Sequence, residues 1–146
     1  MKYYSYEEFF KDVNKIAREV KPHNFDALLA VARGGLTFGH FLAHAIDTRN
    51  LYSLNSVHYE ESQKLDYIKI SNIPDLSNAK KVLIIDDIAD SGETLVEVKR
   101  VIQEKFPNIE DIKIATIFYK DKSIIKPDFY TREATEWIEF CWDFKI

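Results

Sequence analysis

The amino-acid sequence predicts an α/β protein with a central, mostly parallel sheet flanked by helices, and three observations support this class. Apolar runs such as Val-Leu-Ile-Ile at residues 82–85 are too short for a helix and predict strands buried on both faces. Segments with helical spacing of apolar residues alternate with these runs, as in parallel α/β sheets. Two of the runs lead through loops of small residues into a helix, which places both loops at the carboxyl edge of the sheet, where ligands bind.

The first third of the chain predicts a helix, a strand and a second helix. Residues 5–8 (Ser-Tyr-Glu-Glu) have a capping-box pattern, which opens a helix that Pro22 ends. Apolar residues recur at helical spacing in between: Phe9, Phe10, Val13, Ile16, Ala17 and Val20. Residues 26–32 predict a buried strand, and a helix follows from Leu36 to about Ile46.

The rest of the chain continues this alternation. Residues 51–59 and 67–70 predict strands on either side of a polar loop, and residues 72–80 are rich in turn formers before the strand at Val82. A helix follows, and its inner face consists of Leu95, Val98, Val101, Ile102 and Phe106. Residues 112–119 predict one further strand, and the aromatic tail after Pro127 is expected to be irregular.

Bulk properties limit the possible functions. The chain has 146 residues, and we expect a single domain over residues 1–146. A formal net charge of −4 gives no basic surface for nucleic acid, and no apolar stretch is long enough for integral membrane association. Met1, Lys2 and Tyr3 do not open a signal peptide, and the single cysteine, Cys141, cannot form an internal disulfide. These features predict a cytoplasmic protein.

The most informative segment is residues 82–94, a buried strand followed by an acidic pair and a small loop. Asp86 and Asp87 stand at the carboxyl end of the strand, and the hydroxyl-rich residues 90–94 lead into the next helix. Backbone N–H groups of such a loop, together with the helix N-terminus, form an anion site. Acidic residues beside a phosphate site indicate a sugar phosphate with vicinal hydroxyls.

A second loop repeats this arrangement after another strand. Residues 31–36 (Val-Ala-Arg-Gly-Gly-Leu) join a strand to a helix, and their glycines let the backbone approach an anion closely. Arg33 adds a planar, two-pronged donor for phosphate oxygens. Two such loops on one sheet edge suit a substrate that carries phosphates at both ends.

All thirteen positions of residues 82–94 resemble the phosphoribosyl-pyrophosphate (PRPP) motif of the type I phosphoribosyltransferases, with Ser91 where Thr is commoner. The segment has no Lys before the Ser/Thr, unlike a P-loop. The resemblance implies the type I phosphoribosyltransferase fold, with a mobile lid over PRPP in the polar loop of residues 60–66. It also implies that PRPP contacts Arg33, Gly34, Lys64, Asp86, Asp87, Ile88, Ala89, Asp90, Ser91, Gly92, Glu93 and Thr94. Without the resemblance, a solvated loop lysine is the better interpretation of Lys64.

The tail resembles the xanthine-guanine branch of this family, in residues 116–120 and 136–143. This implies a small C-terminal hood, about residues 120–146, over the base site. Lys120 then donates to the purine 6-oxo group, Trp137 stacks on the base, and the Ile138 carbonyl contacts the 2-position. Phe140 and Cys141 depart from the Gln-Pro of that branch. Without the resemblance, Lys120 could be a solvated lysine and Trp137 a core residue.

The activity implied by the resemblance is Mg²⁺-dependent transfer of 5-phosphoribosyl from PRPP to guanine, xanthine or hypoxanthine in purine salvage. Asp87 would contact the metal, and Asp90 would handle the N7 proton of the purine as the catalytic residue. The family commonly forms dimers or tetramers, so a homo-oligomer is expected. Two alternatives stay open: a PRPP-binding regulatory module, and a phosphoribosyltransferase of other base specificity.

Overall fold

Five strands form the main sheet of the protein, whose computed structural model describes residues 1–60 and 66–146. They are β2 (Ala27–Ala32), β3 (Leu51–Tyr59), β4 (Tyr67–Ser71), β5 (Lys81–Ile85) and β7 (Asp111–Ala115). Their order in the sheet is β4-β3-β2-β5-β7, with all neighbours parallel except the antiparallel pair β3–β4. The predicted mostly parallel α/β sheet is therefore confirmed.

Three helices cover this sheet: α1 (Tyr6–Val20), α2 (Gly35–Ala45) and α3 (Glu93–Lys105). The first two pack on one face, where Leu28 and Leu83 of the sheet meet Phe38 and Leu42 of α2. On the opposite face α3 packs against alternate residues of the same strands. Because both faces are covered, the central strands β2 and β5 are apolar apart from Lys81, as the sequence predicted.

The predicted capping box at the start of α1 is present. The Ser5 hydroxyl accepts the Glu8 N–H at 3.2 Å, and the Glu8 carboxylate accepts the Ser5 N–H at 2.9 Å. A short 3₁₀ turn at Lys21–His23 contains Pro22 and ends the helix. Local sequence signals thus set both ends of α1.

The prediction of one strand over residues 112–119 is wrong. The chain leaves the main sheet after β7 and forms β8 (Phe118–Tyr119) in a small parallel sheet with β6 (Ile88–Ala89) and β9 (Arg132–Glu133). At the break, Thr116 N–H donates to the Phe129 carbonyl and Ile117 N–H to that of Asp87. These contacts with distant loops divide an apolar run that is continuous in the sequence.

The tail after Pro127 is more regular than predicted, because it contains β9 and β10 (Ile138–Phe140). Strand β10 pairs in parallel with β1 (Lys2–Tyr4), an element that the sequence pattern did not predict. The N-terminal strand therefore joins the C-terminal hood. No helix among the described residues is both long and apolar enough to cross a bilayer.

Candidate active site

The two predicted anion loops lie side by side because β2 and β5 are parallel neighbours, with Ala30 opposite Ile85. Gly34 packs directly against the acidic pair: a Cβ on it would lie 2.5 Å from Oδ2 of Asp87. A Cβ on Gly35 would overlap the carbonyl oxygen of Ile85. Glycine at these two positions therefore allows the loops to approach this closely. A non-proline cis peptide bond joins Ala32 to Arg33, and the Arg33 side chain is exposed.

The acidic pair lies beside these two glycines. Asp87 N–H donates to Oδ1 of Asp86 at 2.8 Å. Both residues are partly exposed, but their carboxyl groups have lost much of their hydration. Burial raises the pKa of Asp86 well above its usual range, and the charge of Asp87 adds to the increase. Burial also raises the pKa of Asp87 to about 6, with a further contribution from the Asp143 carboxylate.

These carboxylates suit a hard divalent cation. Desolvated oxygen donors with raised pKa values are stabilised by a nearby positive charge, and Mg²⁺ uses oxygen ligands with one or two carboxylates. Within residues 1–60 and 66–146, no three His, Cys, Asp or Glu side chains gather as a complete metal centre. A metal at Asp87 would thus take its other ligands from water and substrate, as Mg²⁺ commonly does.

The hydroxyl-rich loop at residues 90–94 opens α3, a helix of 13 residues. Gly92 has a φ of +85°, which favours glycine, and a Cβ there would lie 2.5 Å from the Ser123 hydroxyl. Glu93 N–H donates to the Ser91 hydroxyl at 3.3 Å, and Ile124 N–H donates to the Ser91 carbonyl at 2.9 Å. The hood segment thus fixes this loop from one side.

Asp90 forms an ion pair with a lysine of the hood. Nζ of Lys120 lies 3.0 Å from Oδ1 of Asp90, and Nζ of Lys122 lies 3.4 Å from the same oxygen. The Lys120 side chain is 24 % exposed and that of Asp90 51 %. Partial burial would raise the pKa of Asp90, but the hydrogen bonds and charges of Lys120 and Lys122 outweigh it, so the pKa is lowered. Asp90 is therefore a carboxylate that can accept a proton or a hydrogen bond.

Trp137 is 70 % exposed, so the core alternative for this residue is wrong. The second tryptophan, Trp142, packs instead against the rings of Phe9 and Phe140. The side chain of Ile138 is buried, which leaves only its backbone available to a ligand. An exposed indole beside a buried strand residue is available for stacking on a flat ligand.

The structure thus brings Gly34 against Asp87 and Lys120 against Asp90, while Arg33 lies exposed one residue before Gly34. Ile88 and Ala89 form β6, and Thr94 lies in the first turn of α3. Lys64 lies outside the described residues. Two residues near the site were not predicted from the sequence. Lys122 forms an ion pair with Asp90, and the charge of Asp143 raises the pKa of Asp87. The only local signal for Lys122 is its position two residues after Lys120.

Comparisons with known proteins match this chain to phosphoribosyltransferases. The family model described as a phosphoribosyl transferase domain matches residues 2–146. A xanthine-guanine phosphoribosyltransferase of Cereibacter sphaeroides is 27 % identical over 124 residues, 82 % of this chain and 70 % of that protein.

Two solved structures extend the likeness to three dimensions. A Helicobacter pylori xanthine-guanine-hypoxanthine phosphoribosyltransferase superposes with a TM-score of 0.89 at 36 % identity, covering 97 % of this chain and 92 % of that one. A purine phosphoribosyltransferase from Pyrococcus horikoshii gives 0.86 at 27 % identity, covering 99 % and 95 %. The type I fold expected from the PRPP motif is thereby confirmed.

Proposed function

The chain belongs to the phosphoribosyltransferase family, and from that membership we propose that it transfers 5-phosphoribosyl from PRPP to a 6-oxopurine: guanine, xanthine or hypoxanthine. The products are the purine 5′-mononucleotide and pyrophosphate. The observation that carries this proposal is the 3.0 Å pair between Lys120 Nζ and Asp90 Oδ1. A cation and a carboxylate side by side offer a hydrogen-bond donor next to an acceptor.

That pair complements one edge of a 6-oxopurine. The 6-oxo group is an acceptor, and the neighbouring N7, when protonated, is a donor. Lys120 donates to the first and Asp90 accepts from the second. Adenine presents a 6-amino donor instead, so the base offers no acceptor to the ammonium of Lys120. A mismatch of this kind costs about 1–3 kcal/mol, so the site favours 6-oxopurines.

PRPP fits across the adjacent loops. Its 5′-phosphate is held by the loop at residues 90–94, where backbone N–H groups stand at the start of α3. The pyrophosphate lies near the exposed Arg33, and the ribose hydroxyls are bound by Asp86 and Asp87. Asp87 is the residue that would hold Mg²⁺, because its carboxylate lies beside Gly34 of the second loop and its raised pKa means that a nearby cation would stabilise the ionised form. Bound Mg²⁺ would supply charge neutralisation to the pyrophosphate.

In the reaction one bond breaks, one bond forms and one proton is transferred. The bond between the ribose C1 and the pyrophosphate oxygen breaks, and the pyrophosphate leaves with the electron pair. Positive charge develops on the ribose and is stabilised by the nearby carboxylates of Asp86 and Asp87. N9 of the purine forms the new bond to C1, while Asp90 accepts the N7 proton and passes it to solvent.

Steady-state assays with PRPP, Mg²⁺ and each purine base test the proposal. We expect turnover with at least one 6-oxopurine and essentially none with adenine. Asp90→Asn should retain PRPP binding and lose about 10²–10⁴-fold in turnover. Lys120→Ala should reduce the discrimination against adenine more than it changes the KM for PRPP.

Lys126→Ala is the matched control, since Lys126 lies on the same segment but over the rings of Tyr119 and Tyr130. It should leave base preference unchanged. A protein that binds PRPP without turnover of any base would be the regulatory module instead. Adenine turnover equal to that of guanine would refute the assignment of Lys120.

A further inference from the structure

We propose that the N-terminal strand β1 determines how this enzyme distinguishes purines at the 2-position, by holding the hood strand β10 so that the Ile138 carbonyl faces the base. The inference rests on the proposed function. It assigns a positioning role to a segment more than 130 residues away in sequence from Ile138. None of the residues in β1 belongs to the PRPP motif or to the Lys120–Asp90 pair.

Two backbone hydrogen bonds attach β1 to the hood on either side of Ile138. Lys2 N–H donates to the Trp137 carbonyl at 2.9 Å, and Cys141 N–H donates to the Tyr4 carbonyl at 3.1 Å. The register places Lys2 opposite Ile138 and Tyr4 opposite Phe140. The strand that carries Ile138 is thereby fixed at both ends.

These two bonds also determine which way each carbonyl points. Along a strand, successive backbone groups alternate between the two sides. Trp137 and Cys141 direct their groups towards β1, so Ile138 and Phe140 direct theirs away from it. Phe140 supports this assignment, because its N–H donates to the Asp143 carboxylate at 3.1 Å and its carbonyl accepts the Asp143 N–H at 2.8 Å. The Ile138 carbonyl is thus directed away from β1.

Strand β1 is itself firmly anchored. The Tyr4 side chain is fully buried and packs edge-on against the rings of Phe118 and Phe140, with centroids 5.0 and 5.8 Å away. Its hydroxyl donates to Oδ2 of Asp12 at 2.5 Å, and the same oxygen accepts Arg132 Nε at 2.7 Å. This network joins β1 to α1 and β9. A displacement of β10 relative to the rest of the site therefore requires its bonds to β1 to break.

The carbonyl so placed has a definite chemical preference. A carbonyl oxygen is an acceptor, guanine carries an amino donor at the 2-position, and hypoxanthine carries no hydrogen-bonding group there. A correctly placed Ile138 carbonyl therefore favours guanine over hypoxanthine, by about tenfold for one hydrogen bond. If β10 is loosened, this preference should fall towards unity.

A proline substitution tests the role of β1 because it removes one N–H donor, while its ring also fixes φ. Lys2→Pro deletes the donor to Trp137, whereas Lys2→Ala keeps it, and both lose the ion pair of Lys2 with Glu8. We expect Lys2→Pro to lower the ratio of guanine to hypoxanthine kcat/KM by about five- to tenfold, while the KM for PRPP is unchanged. Lys2→Ala should keep the wild-type ratio.

Hydrogen exchange on the wild-type protein provides a measurement that needs no variant. If the Ile138 carbonyl contacts the 2-amino group only when β10 is held by β1, then guanosine 5′-monophosphate should stabilise the pairing of these strands. The amide of Cys141 should then exchange more slowly with this nucleotide than with inosine 5′-monophosphate. Equal protection by the two nucleotides would contradict the proposal, even if Lys2→Pro fails to fold.

The outcomes separate this inference from the proposed function. If the wild type uses 6-oxopurines but Lys2→Pro and Lys2→Ala both keep the wild-type base ratio, β1 has no positioning role and the proposed activity stands. If Lys2→Ala loses the preference as well, the Lys2 side chain acts rather than the backbone bond, and the inference is refuted. Wild-type protein that transfers phosphoribosyl only to other bases would refute the proposed function itself.

Discussion

Replacement of Gly34 by alanine should impair the PRPP site while the fold is kept. Gly34 has φ −56° and ψ −36°, which alanine adopts without strain, so the effect is purely steric. The added Cβ would lie 2.5 Å from Oδ2, 2.7 Å from Oδ1 and 2.7 Å from Cγ of Asp87. Since ordinary contact begins near 3.4 Å, Oδ2 must withdraw by about 0.9 Å.

The backbone of Asp87 cannot follow this displacement. Its carbonyl accepts the N–H groups of Ile117 and Phe118, each at 3.1 Å, so the side chain alone must move. A misplacement of about 1 Å at a reacting site costs on the order of 10²-fold in rate, or about 2.7 kcal/mol. We therefore expect kcat/KM for PRPP to fall by about 10²-fold and the Mg²⁺ concentration for half-maximal activity to rise.

Steady-state kinetics at varied PRPP and Mg²⁺, with thermal unfolding of the same samples, measure these effects. Gly39→Ala is the control: it adds a Cβ 3.1 Å from that of Ala30, inside the packing of α2 on the sheet. It should alter the melting temperature and leave the KM for PRPP unchanged. Wild-type kinetics for Gly34→Ala would show that the Asp87 carboxylate does not act where we place it.

Three further outcomes are expected. Arg33→Ala should weaken PRPP and pyrophosphate more than the mononucleotide product, and calorimetric titrations giving equal losses for all three would reassign Arg33. Lys122→Ala should raise the pKa of Asp90, because it removes one of the two cations that lower it; an unchanged carboxyl NMR titration would contradict this. The hydrogen bond from Lys2 lowers the pKa of Glu8 in the folded protein to about 2, below the value that Glu8 has in the unfolded chain. The ionised carboxylate therefore stabilises the fold at neutral pH, and this contribution is lost as the pH falls through 2. Glu8→Gln should therefore destabilise the protein at neutral pH by about 1 kcal/mol, and denaturation curves for the two proteins should converge towards pH 2.

Much of the candidate site could be predicted because its signals are contiguous in the chain. Residues 82–94 combine strand, acidic pair, loop and helix start in one segment, and the structure places Gly34 of the second loop against Asp87. Parallel strands end at the same edge of the sheet, so two loops that follow such strands can meet without further information. The Lys120–Asp90 pair is different, because it joins a strand end and a loop start that only the small sheet of β6, β8 and β9 brings together.

By itself the sequence determined the helices, the buried strands, the capping box of α1 and the loops of the site, since periodicity and capping act between residues a few positions apart. Only the tertiary structure decided that residues 112–119 divide between two sheets, that Trp137 is exposed, and that Lys2 pairs with Ile138. Each of these depends on backbone groups or side chains that find partners far away in the chain. A strand of three residues such as β1 has too little periodicity to be recognised alone, and it forms because β10 satisfies its backbone and the core buries Tyr4.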